Sequence, residues 1–427
     1  MSDEEEKFDA IIIGAGPAGS ACAYILAREG KNVLVVERGD TPGSKNMFGG
    51  RLYAYALEQV EPGLYKDAEF ERRVVREQMM VLGEKTGVTM DYYSEGDDDT
   101  TPSYTLSRAA FDAWFSEQAE NQGAMVAPGV LVDDLIYDGD KVVGIKTGED
   151  EMYADVVISA EGINALIAQK AGLKEEWKPT EVAVGAKEVI ELPADVITKR
   201  FAVNSDDEGA ACMILGQTHA QGGGFIYTNK DSISLGMVVS PASLAQQKTS
   251  LADLFQDFKN HPAIRPLIAG GTTSEYSGHL VPEGGYNSMP KKLYRTGFLM
   301  TGDAAGFCIN TGTIIRGMDL AILSGVAAAR AVLAAKNPEE VGPAYMDELE
   351  KIGVMPTMRL FAGWPQITGI PRMTKTYPDM INEMMGFMFH VDGKVPEKMP
   401  KAMRNIMKKH VGFGQLLADA WKGFRAI

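Results

Sequence analysis

The chain is poor in cysteine: three in 427 residues, Cys22, Cys212 and Cys308, far apart and without a Cys-x-x-Cys pair. Three thiols cannot by themselves ligate an iron–sulfur cluster, which normally takes four. They read instead as buried, reduced thiols of a cytosolic protein. Histidine is also scarce, and the five present (His219, His261, His279, His390 and His410) lack metal-ligand spacing, so no metal site is expected. No uninterrupted apolar run reaches about eighteen residues, the length needed to span a bilayer as a helix. Cations are outnumbered, 42 Lys and Arg against 58 Asp and Glu, for a net charge of −16. Nothing concentrates enough positive charge to neutralise phosphates, which argues against nucleic acid as a partner. Internal repeats are absent, and the one low-complexity segment, Asp97-Asp98-Asp99, reads as a loop tip. The acidic start, Asp3 to Glu6, reads as a solvated tail, without the basic and apolar regions of a signal peptide.

What remains has the apolar and charged fractions of an ordinary globular protein, 45% and 23%, and is long enough for two domains or one interleaved pair. The most informative stretch is Phe8 to Glu37. Phe8 to Ile13 is an apolar, β-branched run of the kind that forms a buried parallel strand. It leads into Gly14-Ala15-Gly16-Pro17-Ala18-Gly19, a helical stretch from Ser20 to Glu29, a turn at Gly30 and a second buried strand from Asn32 to Val36. Glu37 closes the unit, 23 positions after Gly14. In dinucleotide binding Gly14 permits the tight turn, Gly16 lets the backbone approach a pyrophosphate, and Gly19 lets helix and strand pack closely. The helix N-terminus offers unpaired N–H groups to the phosphates. A carboxylate at the second strand's end accepts hydrogen bonds from a ribose diol. Which dinucleotide is bound stays open at this point.

Arg38 to Leu52 follows, rich in glycine and carrying Arg38, Lys45 and Arg51 with Gly49 and Gly50. At the carboxyl ends of parallel strands such a loop wraps a ligand; the same composition also serves a surface loop. Ser107 to Phe115 reads as a helix whose apolar face is 111, 114 and 115, with Arg108 in the first turn. A cation there opposes the helix dipole, which calls for an anionic partner unless the arginine is solvated. Two alternating segments, 131–137 and 142–146, form a hairpin or meander around Asp138-Gly139-Asp140. Met152 to Ser159 returns to a buried parallel strand, ending in Ala160, Glu161 and Gly162. Between Thr180 and Gly285, segments 182–190, 210–216, 224–228 and 232–239 read as an inserted antiparallel sheet with one helix, 251–259. A final apolar strand ends at Thr301, followed by Gly302-Asp303, then Asn310-Thr311-Gly312-Thr313 and a long helix from about Gly317 to Ala335.

With Gly302-Asp303 placed after a strand so far beyond the glycine loop, the chain resembles FAD-dependent oxidoreductases of the glutathione-reductase-like superfamily. That resemblance implies FAD, held at its ADP half by the glycine loop and Glu37 and at its ribityl chain by Asp303. One face of the inserted sheet would then cover the flavin ring. Ser159 to Asn164 is similar to the superfamily's third signature, and Arg108-x-x-Phe111-Asp112 to its arginine site near FAD. The match sharpens with Ser44-Lys45-Asn46-x-x-Gly49-Gly50-Arg51-Leu52-Tyr53, with Asn310-Thr311-Gly312 and Arg316 to Ala321, and with Val391-Asp392-Gly393 and Trp421-Lys422-Gly423. These resemble the FixC/EtfC-type flavoproteins of electron-transfer-flavoprotein systems, themselves similar to electron-transfer-flavoprotein:quinone oxidoreductase, across essentially the whole chain. Two departures stand out: Ala165 replaces a helix-capping serine, and the quinone oxidoreductase's C-terminal cysteine cluster is missing.

The resemblance implies FAD contacts at Gly14, Gly16, Pro17, Ala18, Gly19, Glu37, Arg38, Lys45, Gly49, Gly50, Arg51, Arg108, Val132, Ala160, Glu161, Gly162, Gly302, Asp303, Gly312 and Thr313. No catalytic side chain and no metal ligand are expected, because the cofactor carries the chemistry. It further implies electrons from an electron-transfer flavoprotein of α and β subunits and reduction of a quinone. A small ferredoxin-like iron–sulfur subunit of the FixX/EtfX type would supply the missing cluster, in an assembly that in some members bifurcates electrons. Two alternatives remain: a geranylgeranyl-reductase-type enzyme saturating polyprenyl double bonds, and a flavin-bearing structural subunit without turnover of its own.

The expected architecture is α/β. A Rossmann-like FAD-binding domain begins at 1–179, with 70–150 partly a β-meander, and closes at 291–340. An antiparallel-sheet quinone or substrate domain is inserted at 180–290, and 341–427 forms a helical C-terminal region. Residues 396–427 hold seven cations against two acids, with apolar residues at helical spacing. That segment is expected to meet either an anionic membrane surface, at the inner face of the cytoplasmic membrane, or a partner subunit.

Overall fold

The computed structural model describes residues 7–45, 50–96, 101–216 and 220–426. The Lys7–Ile13 strand lies at the centre of the first sheet, and its Ala10, Ile11 and Ile12 have no exposed surface. Burial on both faces is why this segment reads as continuous apolar sequence rather than alternation. Asp150–Ser159 and Val33–Glu37 flank it in parallel, with Ile11 opposite both Val157 and Leu34. Phe298–Met300 and Met125–Pro128 extend the parallel core on either side. Asp134–Asp138 and Lys141–Thr147 form an antiparallel flap on the Asp150–Ser159 strand.

Helices Pro17–Arg28 and Met318–Ala334 pack against one another above this sheet. The approach is close enough that a Cβ on Gly325 would lie 2.1 Å from the Ala18 carbonyl oxygen. Helix Pro338–Lys351 packs on the second of these, and its buried Tyr345 donates its hydroxyl to the Met300 carbonyl at 2.8 Å. These contacts lock the late strand and its following turn onto the first βαβ unit, although more than half of the chain separates them.

Among the described residues the second sheet has nine strands, wider than the 180–290 segment, because it recruits Arg51–Tyr53, Arg73–Leu82, Gly87–Tyr93 and Ser103–Thr105. It is antiparallel with one exception: Glu208–Gly216 runs parallel to Arg73–Leu82, Cys212 opposite Gln78. Those strands come from distant segments, so no hairpin dictates their direction. One face buries Ile190, Cys212, Ile226 and Met237 against Phe255 and Phe258 of helix Leu251–Asn260. The other face presents Ala211, Met213, Phe225, Tyr227 and Val238. All three cysteines are buried and free.

The C-terminal region is helical. Thr376–Phe389, Met399–His410 and Phe413–Ala426 form a small cluster around Met380, Ile406 and Val411. Asp419 anchors the last helix: Arg372 Nε and Nη2 reach its two carboxylate oxygens at 2.6 and 2.8 Å, and the Tyr377 hydroxyl donates to it at 2.6 Å. Among the described residues no helix is long and apolar enough to cross a membrane.

Candidate cofactor site

A cavity of about 360 Å³ lies between the carboxyl ends of the parallel strands and the Phe225–Tyr227 face of the second sheet. That is where an open α/β sheet places its ligands. The glycine loop forms its floor. Gly14 has φ +105°, and a Cβ there would meet the Ala160 carbonyl oxygen at 2.5 Å, so the turn admits only glycine. Gly19 packs under it, where a Cβ would sit 1.9 Å from the Gly14 carbonyl oxygen.

Gly16 differs from both. Its φ of −79° suits any residue, and the nearest chain atom to a built Cβ is Arg108 Nη2 at 3.8 Å. Neither backbone strain nor packing within the chain requires glycine here. The space it leaves opens at the N-terminus of helix Pro17–Arg28, which has no side-chain cap. A bare helix N-terminus facing open space beside a glycine fits a dinucleotide pyrophosphate.

Glu37 stands at the second strand's end and lines the cavity. Its carboxylate accepts the Ala15 N–H at 3.0 Å and the Gly39 N–H at 2.6 Å. Those bonds tie the glycine loop to the next loop and leave lone pairs over for hydroxyl donors. Asp303 sits in the single turn Gly302–Ala305, and among the described residues no hydrogen bond from the chain engages its carboxyl. Burial raises its proton affinity and the Arg108 cation opposes that rise. A cavity-lining acid left without a partner fits the polyol of a ribityl chain.

The anionic partner sought for Arg108 is Asp112, one turn on. The guanidinium donates to both carboxylate oxygens at 2.8 and 2.6 Å, and both residues are buried. Arg51 is likewise engaged within the chain, donating to Glu77 at 2.9 Å and lying over the Tyr53 ring. Glu161 turns its carboxylate away to cap helix Leu166–Lys170, accepting from the Ile167 and Ala168 N–H groups at 2.8 and 3.1 Å. Ala165, in the left-handed region at φ +45°, therefore needs no capping hydroxyl of its own.

The cavity wall brings together Gly14, Gly16, Pro17, Ala18, Glu37, Arg38, Lys45, Gly50, Arg51, Arg108, Val132, Ala160, Glu161, Gly162, Gly302 and Asp303. Gly19 lies beneath the loop. Gly312 and Thr313 stand off the wall, in the turn between the paired Ile309–Asn310 and Ile315–Arg316. Gly49 is outside the described residues. Sequence reasoning passed over Phe225, Tyr227, Val238, His279 and Glu283, which complete the wall from the second sheet. The segments of Phe225, Tyr227 and Val238 read as strands, but that does not say which face meets a ligand, and the sequence reading assigns no strand to 272–283, which carries His279 and Glu283.

Residues 7–333 match the FAD binding domain family and residues 364–427 the ETF-QO/FixC family C-terminal domain. The chain is 45% identical over its full length to the probable electron transfer flavoprotein-quinone oxidoreductase YdiS of Escherichia coli, all of which is covered. It is also 45% identical to Protein FixC of the same organism, over 99% of this chain and all of that one. Among solved structures, a geranylgeranyl bacteriochlorophyll reductase-like protein of Thermoplasma acidophilum superposes with a TM-score of 0.70. Identity there is 19%, over 95% of this chain and 97% of that one, a likeness of fold alone. FAD is thus the dinucleotide, and the chain belongs to the ETF-QO/FixC family of FAD-dependent oxidoreductases.

Proposed function

We infer that the protein takes electrons from a two-subunit electron-transfer flavoprotein and delivers them to a quinone. FAD, when bound, supplies the redox chemistry; the chain's residues position it and shape the acceptor's surroundings. On this reading the Gly14–Gly19 loop, Glu37 and Asp303 hold the cofactor, while Arg108, fixed by Asp112, sets positive charge beside the phosphates. The observation that carries the reading is the cavity's second wall. Phe225, Tyr227, Val238 and Val281 make an apolar, aromatic face opposite the dinucleotide loop, suited to a flat, apolar ring acceptor.

The name borne by a relative 45% identical over the whole chain, a probable electron transfer flavoprotein-quinone oxidoreductase, supports the same assignment. The three dispersed, buried cysteines offer no cluster site, so the reading assigns the iron–sulfur centre to a separate small ferredoxin-like subunit. It also admits an assembly that bifurcates electrons to a low-potential acceptor. The test is to mix the FAD-loaded protein with reduced electron-transfer flavoprotein and a short-chain quinone under anaerobiosis. Quinol should form only when all three are present. Turnover of a polyprenyl double bond without quinone turnover would instead select the reductase chemistry of the fold neighbour.

A further inference from the structure

At the end of the Thr272–Pro282 strand and just past it the chain stays on the cavity wall, which His279, Val281, Pro282 and Glu283 line. Glu283 is held from two sides. Asn310 donates its amide to both carboxyl oxygens, at 3.1 and 2.9 Å. Its own carbonyl oxygen accepts the Gly312 N–H at 2.7 Å, so the NH2 end is fixed toward Glu283. The backbone N–H groups of Glu283 and Gly284 both donate to the Glu181 carbonyl, at 2.9 and 3.0 Å. Among the described residues no lysine or arginine pairs with Glu283. An amide donor satisfies either the neutral or the charged carboxyl, so this site holds its geometry whether or not the proton is present.

The other titratable groups around it do not share this property. Burial, helped by the Arg108 cation, pushes His279 down to about 4, so it is neutral at physiological pH. Cys308 is kept protonated by burial and by Asp303, Glu283 and Asp319. Tyr227 is held well above its ordinary value by burial. Glu283 is pushed up by burial to about 7, with Asn310 opposing the rise. A donor matched to the working pH is the efficient one in proton transfer.

We propose that Glu283, positioned by Asn310, is the proton donor to the acceptor reduced in this cavity. The proposal rests on the quinone reading and deepens it. Converting a quinone to a quinol consumes two electrons, supplied by the reduced donor flavoprotein, and two protons. Glu283 gives its carboxyl proton to one quinone oxygen and becomes a carboxylate. The second oxygen is protonated from solvent, and water then recharges Glu283.

The experiment uses the full FAD-loaded chain with Glu283→Gln, Glu283→Asp and Asn310→Ala. In Glu283→Gln, FAD content should be unchanged and quinone reduction should fall roughly a hundredfold, in the range typical of a lost general acid. Glu283→Asp should recover part of that loss. The wild-type rate should decline as pH rises through about 7, and the glutamine variant should lack that limb. Asn310→Ala removes the bond that favours the carboxylate, so its limb should move to higher pH.

Infrared difference spectra between oxidised and dithionite-reduced protein, without quinone, give an independent readout. A protonated-carboxyl band should change on reduction, respond to pH and vanish in Glu283→Gln. Absence of that band, or an alkaline limb unchanged in Glu283→Gln, overturns the proposal. A wild-type protein that keeps its FAD and shows the band yet reduces no quinone overturns the quinone reading instead.

Discussion

Glu37 and Glu161 are both acids at the ends of the two parallel strands that flank Lys7–Ile13, and both line the cavity, yet their carboxylates do different work. Glu37 bonds the glycine loop to the loop after the second strand, through Ala15 and Gly39. Glu161 closes a helix through Ile167 and Ala168, with the Ser159 hydroxyl donating to it at 2.7 Å. Glu37→Ala should therefore weaken FAD retention, by about 1.5–3 kcal/mol for charged hydrogen bonds lost, and Asp303→Ala should act the same way. Glu161→Ala should instead destabilise the FAD-free protein by a cap's worth, about 1 kcal/mol, and so lower its melting temperature. Flavin content after gel filtration and apo-protein melting curves separate the two. Equal effects of Glu37→Ala and Glu161→Ala on both would erase the distinction. Glu37 was legible because it closes a spacing motif. The capping role of Glu161 was not, because the N–H groups that donate to it lie six and seven residues on, past a turn that no pattern predicts.

The first βαβ unit was the most readable element, since burial on both faces writes itself into the strand as unbroken apolar residues. The second sheet was readable as strands but not as pairings. Arg73–Leu82 and Glu208–Gly216 meet through tertiary packing, with no connecting turn to betray it. The C-terminal helices divide their apolar residues in a way that spacing alone could not reveal. Met403, Ile406, Met407 and Leu416 pack inward. Phe413, Leu417, Trp421 and Phe424, at 71, 54, 60 and 77% exposure, face outward. Lys422 and Arg425 stand beside that exposed face, and the Arg372–Asp419 pair holds the helix against the body. Of the two expectations for this segment, membrane surface or partner subunit, an anionic bilayer surface would take up this face, with each flanking cation adding about 1 kcal/mol. Trp421→Glu with Phe424→Glu should reduce flotation with anionic vesicles by roughly tenfold or more, given the apolar area removed. Raised salt should weaken wild-type binding. Wild-type protein that stays unbound at low salt would assign the face to a partner subunit.

At the scale of the whole molecule, two sheets enclose one cavity, and that arrangement decides which electron donors can be used. The Gly14–Gly19 loop is the strand–loop–helix dinucleotide fingerprint, and on the proposed reading FAD takes it. The other glycine-rich sites do not qualify. Gly222 to Gly224 lie inside the Gly222–Thr228 strand, where a Cβ on Gly224 would meet Phe258 Cζ at 2.6 Å. Gly270 and Gly271 follow helix Arg265–Ile268 and lead into a strand rather than a helix. Neither turns a helix N-terminus toward a second pyrophosphate. The net charge of −16 further disfavours the encounter with anionic nicotinamide nucleotides. FAD-loaded protein mixed anaerobically with NADH or NADPH should therefore keep its flavin absorbance. Bleaching should begin only when reduced electron-transfer flavoprotein is added. Prompt bleaching by either nucleotide alone would mean that a nicotinamide ring reaches the flavin directly. The apolar Phe225–Tyr227 wall would then face a hydride donor, and the protein would belong mechanistically with the pyridine-nucleotide reductases rather than with flavoprotein-linked electron transfer.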